Sequence, residues 1–398
     1  MKSCIKCLLP ETHETIEFDE KSSCNICAGH DFKREKIDWG KKESNFLEIL
    51  KKYRGKQDYD CIVPFSGGKD SVYTLYTLVK KYNLKCLVVS FDHGFFRPKL
   101  IDNRKKIFQQ LGVDVHTFTP NWSLVKKLML ESFVRKGDFC WHCHAGIFAY
   151  PMRVAIKEKV SLVIWGEPTA EYTSYYSYKD TLEENEEVDE ERFNRFVNLG
   201  LTAEDMKEIL CDTKTDPRDF VPYSYPKLHD LKLIDFRSIC LGSYIPWDVK
   251  KQVSIIKKEL DWEEDLNAGI PPEYAYEKVE CQMQGIRDYI KYIKRGYGRT
   301  AHLAAIDIRN NRLGQNAAKA MIDEYDGKKP ASLDFFLETL GLTENEFNKV
   351  AMSHKIFPNE INPEDLEKAK KLHDQDKWKI SSVLNRSYTK KKLSDHGF

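Results

Sequence analysis

No apolar run in this 398-residue sequence approaches the roughly 20 residues that a helix needs to span a bilayer. The opening residues 1–9 carry cysteines rather than a basic and then apolar export signal, so a cytoplasmic location is expected. Net charge is scarce too, since 63 Lys and Arg against 62 Asp and Glu leave a formal +1. Nothing global therefore draws the chain to nucleic acid or to an anionic membrane, and a small-molecule substrate is favoured. Internal repeats are absent. A composition 41% hydrophobic and 31% charged excludes a disordered chain and is ordinary for a soluble enzyme of two or three folding units. Eleven cysteines in so long a chain exclude a secreted disulfide framework, and their Cys-x-x-Cys pairing points to metal or redox chemistry in a reducing compartment.

What is present is an alternation of elements. Residues 45–53 place Phe46, Leu47, Ile49 and Leu50 at helical spacing, and 60–65 read as a short buried strand. After a glycine-rich turn, 71–82 set Val72, Leu75, Leu78 and Val79 on one helical face, and 84–91 resume as an apolar strand. Helices are expected at 103–111, 123–134 and 145–158, with strands at 113–118 and 161–165. Such alternation predicts a parallel sheet with helices on both faces. Residues 183–191 are acidic without apolar spacing and read as a solvated stretch. Beyond Trp247 the strands fade, and 274–293, 314–325, 333–340 and 344–352 read as helices, followed by a basic run at 390–392 that reads as a frayed end.

The strongest chemical signal is Ser66-Gly67-Gly68-Lys69-Asp70-Ser71, between a hydrophobic strand and an amphipathic helix. Glycines let backbone N–H groups close around phosphate oxygens, the helix that follows presents its positive end, and Ser66, Lys69 and Ser71 add donors. It is not a Walker A loop, in which four residues separate the glycines and Ser or Thr follows the lysine; here Asp70 follows Lys69. These polar groups are expected on a turn outside the core, so that Lys69→Ala or Asp70→Ala removes the chemistry and spares the fold. A second signal is Cys4-x-x-Cys7 and Cys24-x-x-Cys27, with sixteen residues between the pairs. That spacing suits a zinc ribbon, whose four thiolates close a tetrahedral structural site. A third, Cys140-Trp141-His142-Cys143-His144, suits a second zinc, an iron–sulfur cluster or a plain pair of thiols.

The loop resembles that of the PP-loop ATP-pyrophosphatase superfamily. The resemblance implies cleavage of ATP between its α and β phosphates on a doubly wound sheet like those of asparagine and GMP synthetases, with Lys69 and Asp70 as catalytic residues. It implies that the second strand end, Ser90-Phe91-Asp92-His93-Gly94, lies against the nucleoside, with Phe91 and Asp92 as contacts. It implies too that Trp165-Gly166-Glu167-Pro168-Thr169-Ala170-Glu171 is the acidic second motif, with Glu167 or Glu171 on magnesium. In sulfur-transferring members a Cys-x-x-Cys and a distant third cysteine hold a cluster, for which Cys211, Cys240 and Cys281 are candidates beside Cys140 and Cys143.

Taken with Leu241-Gly242-Ser243-Tyr244-Ile245-Pro246-Trp247-Asp248, Arg295-Gly296-Tyr297-Gly298-Arg299 and Ala305-Ile306-Asp307-Ile308-Arg309, the arrangement is similar to the N-acetyl sugar amidotransferase family of surface-polysaccharide and pseudaminic-acid biosynthesis, over roughly residues 1–330. The fold class expected is α/β, with a zinc ribbon at 1–35, the PP-loop domain at 36–248 and a helical region at 249–398. The resemblance implies adenylation of an acetamido oxygen and its replacement by ammonia, with ATP, Mg2+ and Zn2+ required. Arg299 and Arg309 would clamp a substrate carboxylate or phosphate, the alternative being helix-surface salt bridges. Lys2, not cysteine, follows Met1, and no glutaminase motif is evident, so a separate glutamine amidotransferase subunit similar to that of imidazole glycerol phosphate synthase is expected to supply ammonia. A tRNA thiolase shares the loop and cysteine pairs, but the near-neutral charge argues against the basic RNA face it needs.

Overall fold

The computed structural model describes residues 1–168, 200–211, 215–266 and 269–356. Five parallel strands form one sheet in the order β3-β2-β1-β4-β5: β1 (Cys61–Pro64), β2 (Cys86–Phe91), β3 (Asp114–Phe118), β4 (Leu162–Trp165) and β5 (Arg237–Cys240). Cys61 pairs with Cys86, Ile62 with Val163, Leu87 with Asp114 and Leu162 with Arg237. The central strands are apolar and buried on both faces, as a sheet covered twice requires, whereas β3 at the edge keeps partly exposed side chains. The chain builds outward from β1 through β2 to β3 and then returns to place β4 on the other side of β1. The crevice beyond β1 and β4 is thus the topological switch point, where open parallel sheets bind ligands.

The helices are α1 (Asn25–Lys36), α2 (Trp39–Tyr53), α3 (Lys69–Tyr76), α4 (Pro98–Leu111), α5 (Trp122–Lys136), α6 (Trp141–Glu158), α7 (Ala203–Ile209), α8 (Leu228–Leu233), α9 (Val249–Leu260), α10 (Gln284–Arg295), α11 (Arg299–Arg309), α12 (Gln315–Tyr325), α13 (Leu333–Leu340) and α14 (Glu344–Ser353). Alternation along β1 sends Cys61 and Val63 to the core shared with α2, α3, α4 and α9, and Ile62 to the opposite core under Val154 and Ala155 of α6. The sheet is therefore doubly wound, as its sequence pattern predicts. A third core joins α5 to α10, α13 and α14 through Phe133, Ile286, Ile290, Phe336 and Phe347. None of the described helices is long and apolar enough to cross a membrane.

Several readings of the sequence change, three of them around the sheet and the segment ahead of α10. The fifth strand was not expected, because Arg237-Ser238-Ile239-Cys240 is only four residues long and half polar; its parallel partner β4 makes it a strand. Helix α9, whose Val253, Ile256 and Leu260 face inward, packs on α3 and α4 and was likewise missed. The helix expected over 274–293 begins only at Gln284. Ahead of it, Pro271-Pro272 opens a short 3-10 turn at Pro272–Tyr274, and Gln282 N–H donates to the Phe95 carbonyl instead of to a helical one.

Candidate active site at the switch point

The loop 66–71 leaves the end of β1 and is closed by its own side chains. Ser71 Oγ accepts from the Gly67 N–H at 3.0 Å and donates to the Gly68 carbonyl at 3.1 Å, while Ser66 Oγ accepts from the Gly68 N–H at 3.2 Å. Gly67 has φ +94°, and a Cβ there would meet Arg104 Cγ at 2.8 Å, so only glycine fits. Gly68 caps α3 without a side-chain hydrogen bond, which leaves the positive end of that helix for a ligand. Beneath Gly67, buried Arg104 donates from Nη2 to Ser90 Oγ at 2.7 Å and stacks on Phe96, its guanidinium 4.5 Å from the ring centre.

Charges converge at the mouth of this loop. Lys69 is 2% exposed, and its Nζ lies 2.8 Å from Asp70 Oδ2 and 2.9 Å from Glu277 Oε1. Asp70 Oδ1 and Glu277 Oε2 are both buried with no hydrogen-bond donor among the described residues. Arg299 Nη1 stands 3.9 Å from Glu277 Oε2, an ion pair too long for a hydrogen bond. The same guanidinium grips Asp288 with both Nε and Nη2 at 2.9 Å. Burial alone would raise the Glu277 carboxyl, yet Lys69, Lys278 and Arg299 hold it below the usual range. Glu167 goes the other way: burial, then the charge of Asp70, pushes it up to about 8 against the pull of Lys278 and Lys69. Gly166 lets α3 come close, since a Cβ there would sit 2.8 Å from Thr74 Oγ1. The Glu280 carboxylate reaches the other side of the loop, 2.8 Å from where a Gly68 Cβ would stand.

The fold thus brings together residues of the loop, Gly166 and Glu167, and Arg299, as well as Glu277, Lys278 and Glu280, which sequence reasoning missed. Their segment was read as plain helix, and only the density of charge in Glu277-Lys278-Val279-Glu280 could have signalled them. Lys69 is a correction, because its ammonium is buried among carboxylates and not on an outer turn. Phe91 is another. At 5% exposed it packs on Phe118 and Tyr223, and its ring lies 2.2 Å from where a Gly146 Cβ would stand, so it belongs to the core and presents no stacking face. Asp92 accepts from the Gly94 N–H at 2.8 Å, and burial raises its carboxyl. Arg309 lies away from the loop, at the end of α11, where its charge acts on Cys7 and His13. Glu171, the acidic 183–191 and the basic 390–392 lie outside the described residues.

Cys4, Cys7, Cys24 and Cys27 are buried, with all four sulfurs within 4.8 Å of one another. Cys4 and Cys27 Sγ are 3.9 Å apart, and Cys7 and Cys24 Sγ 3.6 Å, close to the roughly 3.8 Å edge that metal–sulfur bonds of 2.3 Å give a tetrahedron. The module fits a metal ion. Cys140 and Cys143 begin α6, and Cys281 approaches them, burial being the main reason these thiols stay protonated. Among the described residues, however, no group of three ligand atoms forms there within 4.8 Å. Cys240 ends β5 and Cys211 is exposed.

Fold and site define a doubly wound α/β protein with a glycine-rich, serine-closed loop at its switch point and a cysteine-rich N-terminal module. Residues 273–384 match the family described as LPS biosynthesis protein WbpG-like, C-terminal domain; this match overlaps the surface-polysaccharide resemblance read over residues 1–330 only at 273–330, a part that includes Glu277, Glu280 and Arg299, and runs on beyond it. An uncharacterized protein of Methanocaldococcus jannaschii, MJ1599, is 29% identical over 168 residues, 42% of this chain. The chain spans 58% of that relative's length. Among solved structures, the U34-tRNA thiolase NcsA from Methanococcus maripaludis with its 4Fe-4S cluster aligns over 86% of this chain and 90% of its own. Its TM-score of 0.33 and identity of 15% are too low to bear on function.

Proposed function

We propose that the protein is an ATP-dependent amidotransferase of surface-polysaccharide biosynthesis that converts an acetamido sugar to an acetamidino sugar with release of AMP and pyrophosphate. The observation that carries this reading is the loop 66–71, closed by its own serines, with an uncapped helix start and a lysine ammonium at the switch point of the sheet. Such a site suits a pyrophosphate group, and the WbpG-like match supports a polysaccharide substrate.

In this reading the acetamido oxygen attacks the α-phosphorus of ATP, the bond to the β-phosphate oxygen breaks, and pyrophosphate leaves. Ammonia then adds to the activated carbon, the carbon–oxygen bond breaks, and AMP departs with the former acetamido oxygen. The first N–H groups of α3 and Lys69 would balance charge on the departing pyrophosphate, with Arg299 beside Glu277. Asp70, whose Oδ1 is buried with no hydrogen-bond partner among the described residues, and Glu167 would hold a magnesium ion, which would offset charge on the phosphates. Zinc in Cys4, Cys7, Cys24 and Cys27 would be structural, with no open coordination position. Ammonia would come from a separate glutaminase subunit.

The test follows one oxygen atom. An acetamido sugar labelled with heavy oxygen at the carbonyl is incubated with the protein, MgATP and ammonium, and products are weighed. The expected result is amidine and oxygen-labelled AMP in near equal yield without glutamine. ADP, unlabelled AMP, or amidine formed without ATP consumption would overturn the proposal.

A further inference from the structure

Lys69 carries a flexible four-carbon stem, and a point charge on such a stem is useful against a phosphate only if something fixes it. Asp70 cannot do this alone. It is the next residue on the same helix and moves with Lys69. Glu277 is different: it comes from the segment ahead of α10, more than two hundred positions along the chain. That segment is tied down on its own account, by Gln282, which donates from N–H to the Phe95 carbonyl at 2.9 Å and from Nε2 to the Phe96 carbonyl at 3.1 Å. Glu277 is also flanked by the Arg299 guanidinium, which Asp288 holds with two hydrogen bonds of 2.9 Å. Both partners are sealed from water, the Lys69 and Glu277 side chains each being 3% exposed.

We propose that Glu277 is a positioning residue for Lys69, so that the WbpG-like C-terminal region completes the nucleotide site by fixing the loop ammonium against the β and γ phosphates of ATP. This rests on the nucleotide reading of the loop. It requires Glu277 to act on the phosphates through Lys69 without touching them, and this sets the sign of its effect. By charge alone, neutralising a buried carboxylate beside a triphosphate strengthens triphosphate binding. Loss of positioning weakens it.

The experiment measures MgATP and AMP binding by titration calorimetry on the full chain, wild type against Glu277→Gln and Glu277→Asp, with the thermal midpoint of each variant. Glu277→Gln is expected to weaken MgATP about tenfold, the scale of one charge-assisted hydrogen bond, while AMP, which lacks the outer phosphates, binds as before. Glu277→Asp keeps the charge at a shorter reach and is expected to lose about threefold; it carries the comparison should Glu277→Gln fail to fold. MgATP binding that is unchanged or tighter in a folded variant would overturn the inference. Equal losses for MgATP and AMP would also overturn it, since they denote a merely structural residue. A wild-type protein that binds no MgATP would instead remove the nucleotide reading itself.

Discussion

Lys69 shows how far a motif can be misjudged when only its letters are known. With its ammonium between Asp70 and Glu277, Lys69→Ala does more than delete a phosphate ligand: it leaves buried carboxylates uncompensated. Breaking one side of a buried pair costs about 3–5 kcal/mol, and urea unfolding of Lys69→Ala is expected to show a loss on that scale. A loss below about 1 kcal/mol would mean that the pair is solvated. Glu167 supplies the pH dependence. Its folded value of about 8 lies above its ordinary 4.5, so its contribution to stability is complete below 4.5 and is lost as pH rises through 8. The thermal midpoint of the magnesium-free protein, with its cysteine module loaded, should therefore fall across that window, and Glu167→Gln should flatten the fall. Magnesium acts in the opposite sense, favouring the carboxylate, and its binding should release a proton near neutral pH.

At the scale of elements, two glycines decide how closely the site is built. Gly67→Ala combines a φ of +94° with a 2.8 Å approach to Arg104 and should cost about 1–3 kcal/mol, loosening the loop before the sheet. Gly146→Ala drives a methyl to within 2.2 Å of the Phe91 ring, which pushes α6 off the end of β2. A fall in thermal midpoint for both variants is expected, and unchanged midpoints would contradict the packing described. Among the elements legible in the sequence were α3, α13 and α14, and Leu333–Leu340 matches its expected bounds, although α9 carries a comparable apolar face and was missed. The rest depended on partners. Strand β5 has no apolar run of its own, and α2 starts ahead of its first apolar pair because Asp38 caps it by accepting from the Lys41 N–H.

At the scale of the whole molecule, the N-terminal module is tied to the helical region. Thr12 Oγ1 donates to the Arg295 carbonyl at 2.6 Å and Arg295 Nη1 returns a bond to the Thr12 carbonyl at 2.6 Å. Tyr297 Oη donates to Glu14, and Gln315 Nε2 donates to the Ile5 and Lys6 carbonyls. With Ala305 of α11 packed among the cysteines, these contacts seat the module on α10, α11 and α12, the first two of which carry Asp288 and Arg299. Cys24→Ser is expected to release about one zinc ion per chain and unfold the module. Because of the docking, amide exchange should also speed up in Arg299–Arg309, with MgATP binding weakened at a distance. Wild-type protein free of metal by elemental analysis would refute the zinc assignment, and unchanged exchange in α11 would refute the coupling.

What the sequence determined by itself was chemistry written locally. The loop 66–71 lies between a strand and a helix within a few residues of each, and the thiolate pairs Cys4/Cys7 and Cys24/Cys27 carry their spacing in the chain. Hydrophobic alternation is likewise a short-range signal, and it was enough for a doubly wound sheet. Tertiary structure alone decided which distant groups join the loop. It delivered Glu277, Lys278 and Glu280 to the switch point, buried Lys69, moved Phe91 into the core and set Arg309 beside the cysteine module. The reason is physical. A charge run such as 277–280 has the same local pattern whether water or a buried ammonium faces it, and only the packing of α9 to α11 around the sheet excludes the water.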